Sequence, residues 1–125
     1  MIYGIGTDLV DPARIARSLE RHGEAFARRV LADTEWPDYL SHANPAVFVA
    51  KRFAAKEAFA KAAGTGLREP VSFSNIAILH DLQGKPYFQF CEALMEWVNQ
   101  RGIVAHHLSI SDELTMASAF VILEK

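Results

Sequence analysis

The sequence predicts an α+β fold, with helices concentrated in the first half of the chain and packed on a largely antiparallel sheet formed mainly by the second half. Two observations lead to this prediction. The pairs Asp11-Pro12 and Asn44-Pro45 are cap-plus-proline signals that start helices, whereas short apolar, partly β-branched segments separated by turns follow position 71. The 125 residues contain no repeats, low-complexity tracts or linkers, so we expect one domain over residues 1–125.

The elements of the first half begin with a strand. Residues 2–10 are short, apolar and partly β-branched, which favours a strand. Asp11 is an N-cap before a proline, so a helix follows through about His22, and Gly23 ends it. Further helices are predicted over residues 24–31, after a cap at Asp33 or Thr34, and over residues 45–63, with Gly64 as the C-cap.

The second half changes to strand patterns interrupted by one helix. The segments VSFSNIAILHD and YFQF flank the turn QGKP, which predicts a hairpin. Residues 92–100 place Leu94, Trp97 and Val98 on one stripe, as in an amphipathic helix. HHLSISD and LTMASAFVILE then form a strand pair. Because the last strand is apolar on both faces, we expect it to be central in the sheet and covered on both sides.

Composition excludes several classes of protein. The formal net charge is −2 with neutral histidines, which is no signature of a nucleic-acid binder. The N-terminus MIYGIGTDLV lacks the regions of a signal peptide, and no apolar run approaches the ~20 residues that span a bilayer. The single cysteine, Cys91, excludes an intrachain disulfide. We therefore expect a soluble, cytoplasmic protein without nucleic-acid or membrane partners.

The alanine-rich segment FAAKEAFAKAAGTG carries the most informative charge pattern. On a helical wheel at ~100° per residue, its helix has two opposed charged faces. These faces are Lys51, Arg52 and Lys56 on one side and Glu57 and Lys61 on the other. If one face meets solvent, the other lines a cavity or an interface. The alternative is an exposed Glu57–Lys61 salt bridge, worth only ~0.3–0.5 kcal/mol, on a helix with an ordinary glycine cap.

A second carboxylate, Asp8, lies near the end of the first strand among apolar residues. A carboxylate there is costly to bury unless it is paired or bound to a metal. Together with Glu57 it would supply two hard oxygen ligands, and Mg²⁺ takes one or two carboxylates plus water and substrate phosphate oxygens. The loop Gly64-Thr65-Gly66 follows a helix C-terminus, whose dipole repels phosphate. Phosphate binding there requires the loop's own amides and a cation such as Lys61.

Four blocks occur in order along the chain: G-I-G-T-D-L-V, R-F-A-A-K-E-A-F-A-K-A-A-G-T-G, G-K-P and L-S-I-S-D-E. Over residues 5–122 they resemble the holo-[acyl-carrier-protein] synthase family of small, single-domain 4′-phosphopantetheinyl transferases. The resemblance implies Mg²⁺-dependent transfer of 4′-phosphopantetheine from coenzyme A to a serine of apo-acyl carrier protein, with release of adenosine 3′,5′-bisphosphate, for fatty acid biosynthesis. It also implies a homotrimer with sites between adjacent subunits.

The resemblance assigns roles to individual residues. Asp8 and Glu57 would ligate the Mg²⁺ that also holds the coenzyme A pyrophosphate, and Lys61 would contact the phosphates. Coenzyme A would be held further by Arg52, Gly64, Thr65, Gly66, Pro86 and Ser109, some of them serving a neighbouring subunit's ligand. Mg²⁺ with Lys61 would stabilise the charge that builds on phosphate oxygens. Glu57, acting directly or through a water, is the candidate base for the serine proton.

A basic stripe runs along the first predicted helix, because Arg14, Arg17 and Arg21 lie at i, i+3 and i+7. It is either a solvated face or, as the resemblance implies, a dock for the acidic recognition helix of acyl carrier protein. Arg14 matches the family's docking arginine best, and Arg21 extends the stripe. Such a stripe on a protein of net charge −2 would steer an acidic partner and raise its association rate.

The last block departs from the family's usual S-I-S-H, because Asp112 follows Ser111. Asp112 is either a third acidic group near the metal or the start of the hairpin turn. Two other functions are a non-catalytic module that binds acyl carrier protein and a Mg²⁺-dependent phosphohydrolase. A pure binder needs no metal–phosphate constellation, and a hydrolase usually has a denser carboxylate cluster than the sequence offers.

Overall fold

The computed structural model describes all residues of the chain, 1–125. Its helices are α1 (Pro12–His22), α2 (Glu24–Val30), α3 (Trp36–Ser41), α4 (Pro45–Ala63) and α5 (Glu92–Gln100). Its strands are β1 (Ile2–Val10), β2 (Ile76–His80), β3 (Pro86–Phe90), β4 (Ala105–Glu113) and β5 (Met116–Glu124). Short 3₁₀ helices at Asp33–Glu35 and Phe73–Asn75 precede α3 and β2. The predicted α+β class is confirmed.

The strands form two antiparallel sheets instead of the single sheet suggested by the sequence. The larger sheet has the order β1-β5-β4, and the smaller one is the β2-β3 hairpin. The central position predicted for β5 is therefore confirmed. The hairpin turn is organised by Asp81, whose Oδ1 accepts hydrogen bonds from the N–H groups of Gln83 and Lys85, each at 2.9 Å. None of the helices is both long and apolar enough to cross a bilayer.

Local side-chain hydrogen bonds decide where the elements begin. Asp11 accepts from the N–H of Ala13 at 2.9 Å and Asn44 from that of Val47 at 3.2 Å, so both predicted caps are confirmed. The predicted cap at 33 or 34 is wrong, because α3 begins at Trp36 after the 3₁₀ turn. The predicted strand start at 71 is also wrong. The amide of Asn75 donates to the Pro70 carbonyl at 2.9 Å and stabilises a turn that delays β2.

Helix α4 packs across one face of the three-stranded sheet at a separation that only glycine permits. A Cβ added at Gly4 would lie 1.9 Å from the carbonyl oxygen of Ala62, and one added at Gly6 would lie 1.9 Å from that of Ala58. Alanines on this side of α4 complete the close approach, and they belong to the main hydrophobic core. Side chains alternate along a strand, so Asp8 points to the same side as Gly6 and hence toward α4.

The opposite face of the three-stranded sheet is uncovered. Ile5 is 57% exposed, Leu9 63% and Phe120 43%, whereas the alternate residues of β5 are buried against α4. The expectation that β5 is covered on both sides is therefore wrong for the single chain. We call this surface the outer sheet face. It consists of the outward residues of β1, β5 and β4: Ile5, Thr7, Leu9, Met116, Ser118, Phe120, Ile122, His107, Ser109 and Ser111.

The glycine contact is testable by adding a single methyl group. We expect Gly6→Ala to lower the free energy of unfolding by about 3 kcal/mol or more, because the new Cβ overlaps backbone atoms that cannot rotate away. Urea denaturation followed by circular dichroism measures the change. Thr7→Ala is the control, since Thr7 is the next residue of the strand and faces outward. Equal stability of the two variants would contradict the close-packing argument.

Candidate active site

Asp8, Glu57 and Lys61 meet where β1 crosses the last turns of α4. The ammonium of Lys61 donates to the carbonyl of Thr7 at 2.9 Å and to Oδ1 of Asp8 at 3.2 Å. Lys61 thus ties the helix to the strand and forms no ion pair with Glu57. The simple i, i+4 salt bridge considered from the sequence is absent. The structure therefore brings together the three residues that the sequence could not place side by side.

The environment of Glu57 disfavours its charged form. Partial burial raises the pKa of the Glu57 carboxyl, and the neighbouring Asp8 carboxylate raises it further, while Lys61 and Arg14 act in the opposite direction. No ion pair involves Glu57. Asp8 and Glu57 are therefore neighbouring carboxylates, and Lys61 pairs with Asp8 alone. A bound cation would relieve this repulsion.

The donor set suits a hard divalent cation. Carboxylate oxygens are the ligands that Mg²⁺ prefers, and two of them with water and substrate phosphates complete its usual shell. No cluster of three or more His, Cys, Asp or Glu side chains exists that could form an all-protein cage. Asp8 and Glu57 therefore fit a Mg²⁺ ion that shares its coordination with a substrate, and they fit a structural zinc site poorly.

The arginines of α1 form an exposed basic surface beside these carboxylates. Arg14, Arg17 and Arg21 are exposed, while Ile15 on the opposite side of α1 is buried in the core. Together with Ser18 and His22 they line a shallow depression of about 170 Å³. Of these arginines, Arg14 is the one whose charge lowers the pKa of Glu57, so it lies close to that carboxyl. The basic stripe therefore begins at the candidate metal site and leads away from it.

A larger cavity of about 630 Å³ opens on another side of α4. We call it the cationic cavity. Its lining residues are Asp38, Ser41, His42, Ala43, Phe48, Lys51, Arg52, His80, Gly84, Pro86 and Ile110. Of the predicted coenzyme A-binding residues, Arg52 and Pro86 lie here. Burial and the charges of Arg52 and Lys51 lower the pKa of the His80 imidazole, so His80 is held largely neutral beside them.

Sequence reasoning did not assign His80, Phe48 or Lys51 to this cavity. For His80, the predicted hairpin turn was a usable signal. The turn pairs the end of β2 with the start of β3 and so places His80 beside Pro86. The residues of α3 and the α3–α4 connection had no such signal. Their approach depends on how α3 folds back on α4, which the sequence pattern does not encode.

The two charged faces of α4 differ as expected, because Lys61 on one face is exposed while Lys51 and Arg52 on the basic face line the cationic cavity. Most of the basic face is buried. Lys56 is 0% exposed and Arg52 is 5% exposed. Both donate to the carboxylate of Glu35, from the turn before α3. Lys56 also donates to the carbonyls of Val30 at 2.7 Å and Phe73 at 3.0 Å. Burial lowers the pKa of Lys56 to about 8, with the Glu35 charge opposing the shift.

The remaining predicted residues lie apart from the cationic cavity of the same chain. Gly64 and Gly66 have φ values of 81° and 64°, and the loop between them follows Lys61 at the end of α4. Ser109 is on the outer sheet face. Arg52 and Glu57 are five residues apart on α4, which turns their side chains by roughly 140°. One chain therefore places the two groups of predicted site residues on different sides of α4.

Asp112 fits neither of the two interpretations offered by the sequence. It lies within β4, before the turn at Leu114 and Thr115, so it does not start that turn. Its carboxylate pairs with Lys51 at 3.2 Å, and it forms no acidic cluster with Asp8 and Glu57. In the register of the sheet it faces α4 together with Ala117. Asp112 thus offsets the charge of a cavity lysine.

Comparison with known proteins agrees with this geometry. The family model of the 4′-phosphopantetheinyl transferase superfamily matches residues 4–113. The holo-[acyl-carrier-protein] synthase of Nitrosomonas europaea is 77% identical over 125 residues, covering 100% of both chains. The crystal structure of the synthase from Neisseria meningitidis has 51% identity and a TM-score of 0.98 over 100% of both chains.

A further similar structure was solved with a bound ligand. It is a holo-(acyl-carrier-protein) synthase from Bacillus anthracis in complex with CoA (3′,5′-ADP), with 36% identity and a TM-score of 0.81. The match covers 98% of this chain and 96% of that one. The family resemblance seen in the sequence is confirmed over the whole fold. The chain belongs to the holo-[acyl-carrier-protein] synthase family of the 4′-phosphopantetheinyl transferase superfamily, and it is therefore a transferase.

Proposed function

We propose that the protein transfers the 4′-phosphopantetheine group of coenzyme A to a serine of apo-acyl carrier protein, in a Mg²⁺-dependent reaction that serves fatty acid biosynthesis in the cytoplasm. The observation that carries this proposal is the meeting of Asp8, Glu57 and Lys61 at the start of the α1 arginine stripe. The names of the relatives and the coenzyme A complex of the Bacillus anthracis synthase support it.

Asp8 and Glu57 would hold the Mg²⁺ ion. When bound, it would neutralise the pyrophosphate of coenzyme A and stabilise charge on the phosphoryl oxygens during transfer. Lys61 has three N–H donors, of which the protein engages two. The third N–H donor has no acceptor in the protein. Lys61 therefore donates to a phosphate oxygen while its position is fixed by the Thr7 carbonyl and Asp8.

The serine hydroxyl of the carrier protein must lose a proton as its oxygen attacks the β-phosphorus. Glu57 takes this proton, directly or through a water. Burial and Asp8 raise the pKa of Glu57 in the metal-free protein, and a Mg²⁺ ion bound to its carboxylate would lower that pKa. The bond from the β-phosphorus to the bridging oxygen breaks, and adenosine 3′,5′-bisphosphate leaves with that oxygen.

The cationic cavity takes the nucleotide end of coenzyme A. Its volume of about 630 Å³ lies within the usual range for small-molecule sites. Arg52 supplies a planar fork of donors suited to a phosphate, and Pro86 supplies apolar surface for the base. In the loop Gly64-Thr65-Gly66, the N–H groups of both glycines donate to carbonyls at the end of α4. The loop would therefore meet the pyrophosphate through the N–H of Thr65, next to Lys61.

We propose further that the protein is a homotrimer whose sites lie between adjacent subunits. The outer sheet face exposes several large apolar side chains in one chain, as expected of a surface that another copy covers. They are Ile5, Leu9, Met116 and Phe120. The two groups of predicted site residues lie on different sides of α4, which supports the same arrangement. One copy would supply Asp8, Glu57 and Lys61, and its neighbour would supply Arg52 and the outer-face residue Ser109.

The transfer reaction is tested with apo-acyl carrier protein, coenzyme A and Mg²⁺, followed by mass spectrometry of the carrier. We expect the carrier to gain one phosphopantetheine mass. Asp8→Asn and Glu57→Gln should each lower kcat/KM at least ~100-fold, the usual scale for losing electrostatic or acid–base catalysis. The exposed acid Glu96→Gln on α5 is the matched control. An unmodified carrier would refute the proposed function, and active Asp8 and Glu57 variants would refute the metal site.

The pH dependence of the Mg²⁺ requirement gives a second measurement on the same samples. Mg²⁺ binds the ionised form of Glu57, whose pKa is raised. The Mg²⁺ concentration for half-maximal rate should therefore rise as the pH falls toward that pKa. A requirement that does not change with pH in the acidic range would contradict this.

The α1 stripe is tested by Arg14→Ala. The matched control is Arg101→Ala, because Arg101 is an exposed arginine that directly follows α5 and is not part of the stripe. Because Arg14 would meet an acidic helix of the carrier, we expect the KM for the carrier to rise roughly tenfold and kcat to change little. The KM for coenzyme A should stay constant. Added salt should weaken the wild type more than the Arg14 variant. An unchanged carrier KM would favour a merely solvated stripe.

Assembly is tested by Phe120→Lys on the outer sheet face. The control is Met95→Lys on α5, because Met95 is 41% exposed and Phe120 is 43% exposed. A lysine within an apolar interface loses its hydration, so we expect the Phe120 variant to have the mass of a monomer in light scattering and little activity. Met95→Lys should stay trimeric. A wild type that is monomeric and active would refute the shared site.

A further inference from the structure

Glu35 is a buried carboxylate that the proposed mechanism does not use. It is 1% exposed and lies in the 3₁₀ turn before α3. Four donors converge on its two oxygens. They are the N–H of Ala32 at 2.8 Å, the guanidinium of Arg52 at 2.8 Å, the ammonium of Lys56, and the N–H of Ile78 at 3.1 Å. The carboxylate is therefore fully satisfied and joins α4 to β2 and to the end of α2.

This set of neighbours requires an ionised acid. All four partners donate, so a carboxylate accepts from each of them, whereas an amide of the same shape would turn its own N–H groups toward two of the donors. The charges also do not cancel. Arg52 and Lys56 are two buried cations against the one carboxylate of Glu35, which leaves one net positive charge at the wall of the cationic cavity.

Glu35 controls the orientation of Arg52 in particular. One terminal nitrogen of the guanidinium donates to Glu35 and to the carbonyl of Ile78. The guanidinium also lies over the ring of Phe48, with the central carbon 4.5 Å from the ring centroid. The group is thus held at one edge and on one face. Its remaining N–H donors have no protein acceptor, and Arg52 lines the cavity.

Lys56 in turn holds Glu35. Its ammonium uses its three donors on Glu35 and on the carbonyls of Val30 and Phe73. These contacts fix the Lys56 ammonium, and its hydrogen bond to Glu35 restrains the carboxylate beside Arg52. Lys56 itself is not one of the residues that line the cavity.

We propose that Glu35, braced by Lys56, is a positioning residue for nucleotide binding, because it aims the free donors of Arg52 into the cationic cavity. The proposal rests on the function proposed above, in which this cavity takes the adenosine 3′,5′-bisphosphate end of coenzyme A. A merely structural Glu35 would stabilise the fold without changing how Arg52 meets the ligand. The two roles differ in whether the effects of Glu35 and Arg52 on binding are coupled.

The test is a double-mutant cycle on binding of adenosine 3′,5′-bisphosphate, measured by isothermal titration calorimetry. The proteins are the wild type, Glu35→Gln, Arg52→Met and the double variant, with the exposed Glu96→Gln as control. We expect Glu35→Gln to weaken binding about tenfold in the wild-type background and not at all in the Arg52→Met background. In the transfer assay the KM for coenzyme A should rise in parallel, while kcat and the KM for the carrier stay constant.

A second variant keeps the test decisive if Glu35→Gln does not fold. Glu35→Gln combined with Lys56→Met removes the carboxylate together with one buried cation, so less uncompensated charge stays in the core. It should show the same loss of binding and the same dependence on Arg52. Equal losses in both Arg52 backgrounds, unchanged binding, or failure of both variants to fold would overturn the proposal in favour of a structural role. A folded wild type that neither binds this nucleotide nor modifies the carrier would instead refute the proposed function.

Discussion

The close approach of β1 to α4 is the constraint on which the rest of the molecule depends. Gly4 and Gly6 leave no room for a Cβ against the carbonyls of α4, and this brings strand and helix backbones nearer than ordinary side chains allow. The same alternation that turns both glycines toward α4 turns Asp8 toward it. Because of this packing, Asp8 reaches Lys61 and lies close enough to Glu57 to raise the pKa of its carboxyl.

The charged side chains on the two sides of α4 differ in how far they are exposed to solvent. On the side of β1 it carries a half-exposed acid and lysine, whose charges solvent and ligands can still screen. On the side of β2 it carries Arg52 and Lys56, which are too deeply buried for solvent to screen. Burial of a cation costs several kcal/mol unless an acid and further acceptors compensate it. Glu35 and backbone carbonyls provide that compensation, which allows a basic helix face to form part of the core.

The elements governed by local rules could be predicted from the sequence, and those governed by distant contacts could not. Asp11, Asn44 and Gly64 cap their helices as predicted, because each cap involves a few neighbouring residues. Asp8, Glu57 and Lys61 were selected through the motif that surrounds them, and their proximity depended on the glycines. Glu35 carried no local signal, since its partner Arg52 is 17 residues away in another element. A helical wheel of α4 shows only the residues of that helix. It could not show that Glu35, in another element, accepts hydrogen bonds from its basic face.

Glu35 and Glu57 show how the same side chain acquires different roles from its surroundings. Glu35 is fully buried and accepts from four donors, so its charge is compensated within the protein and its position is fixed. Glu57 is half-buried beside another carboxylate, its pKa is raised, and it has no ion-pair partner. A charge that the fold leaves uncompensated gains most from a cation or a proton. This difference in how far each charge is compensated, more than the spacing of either residue along the chain, is why we propose the chemistry on the Glu57 side of α4 and the orientation of the ligand on the Glu35 side.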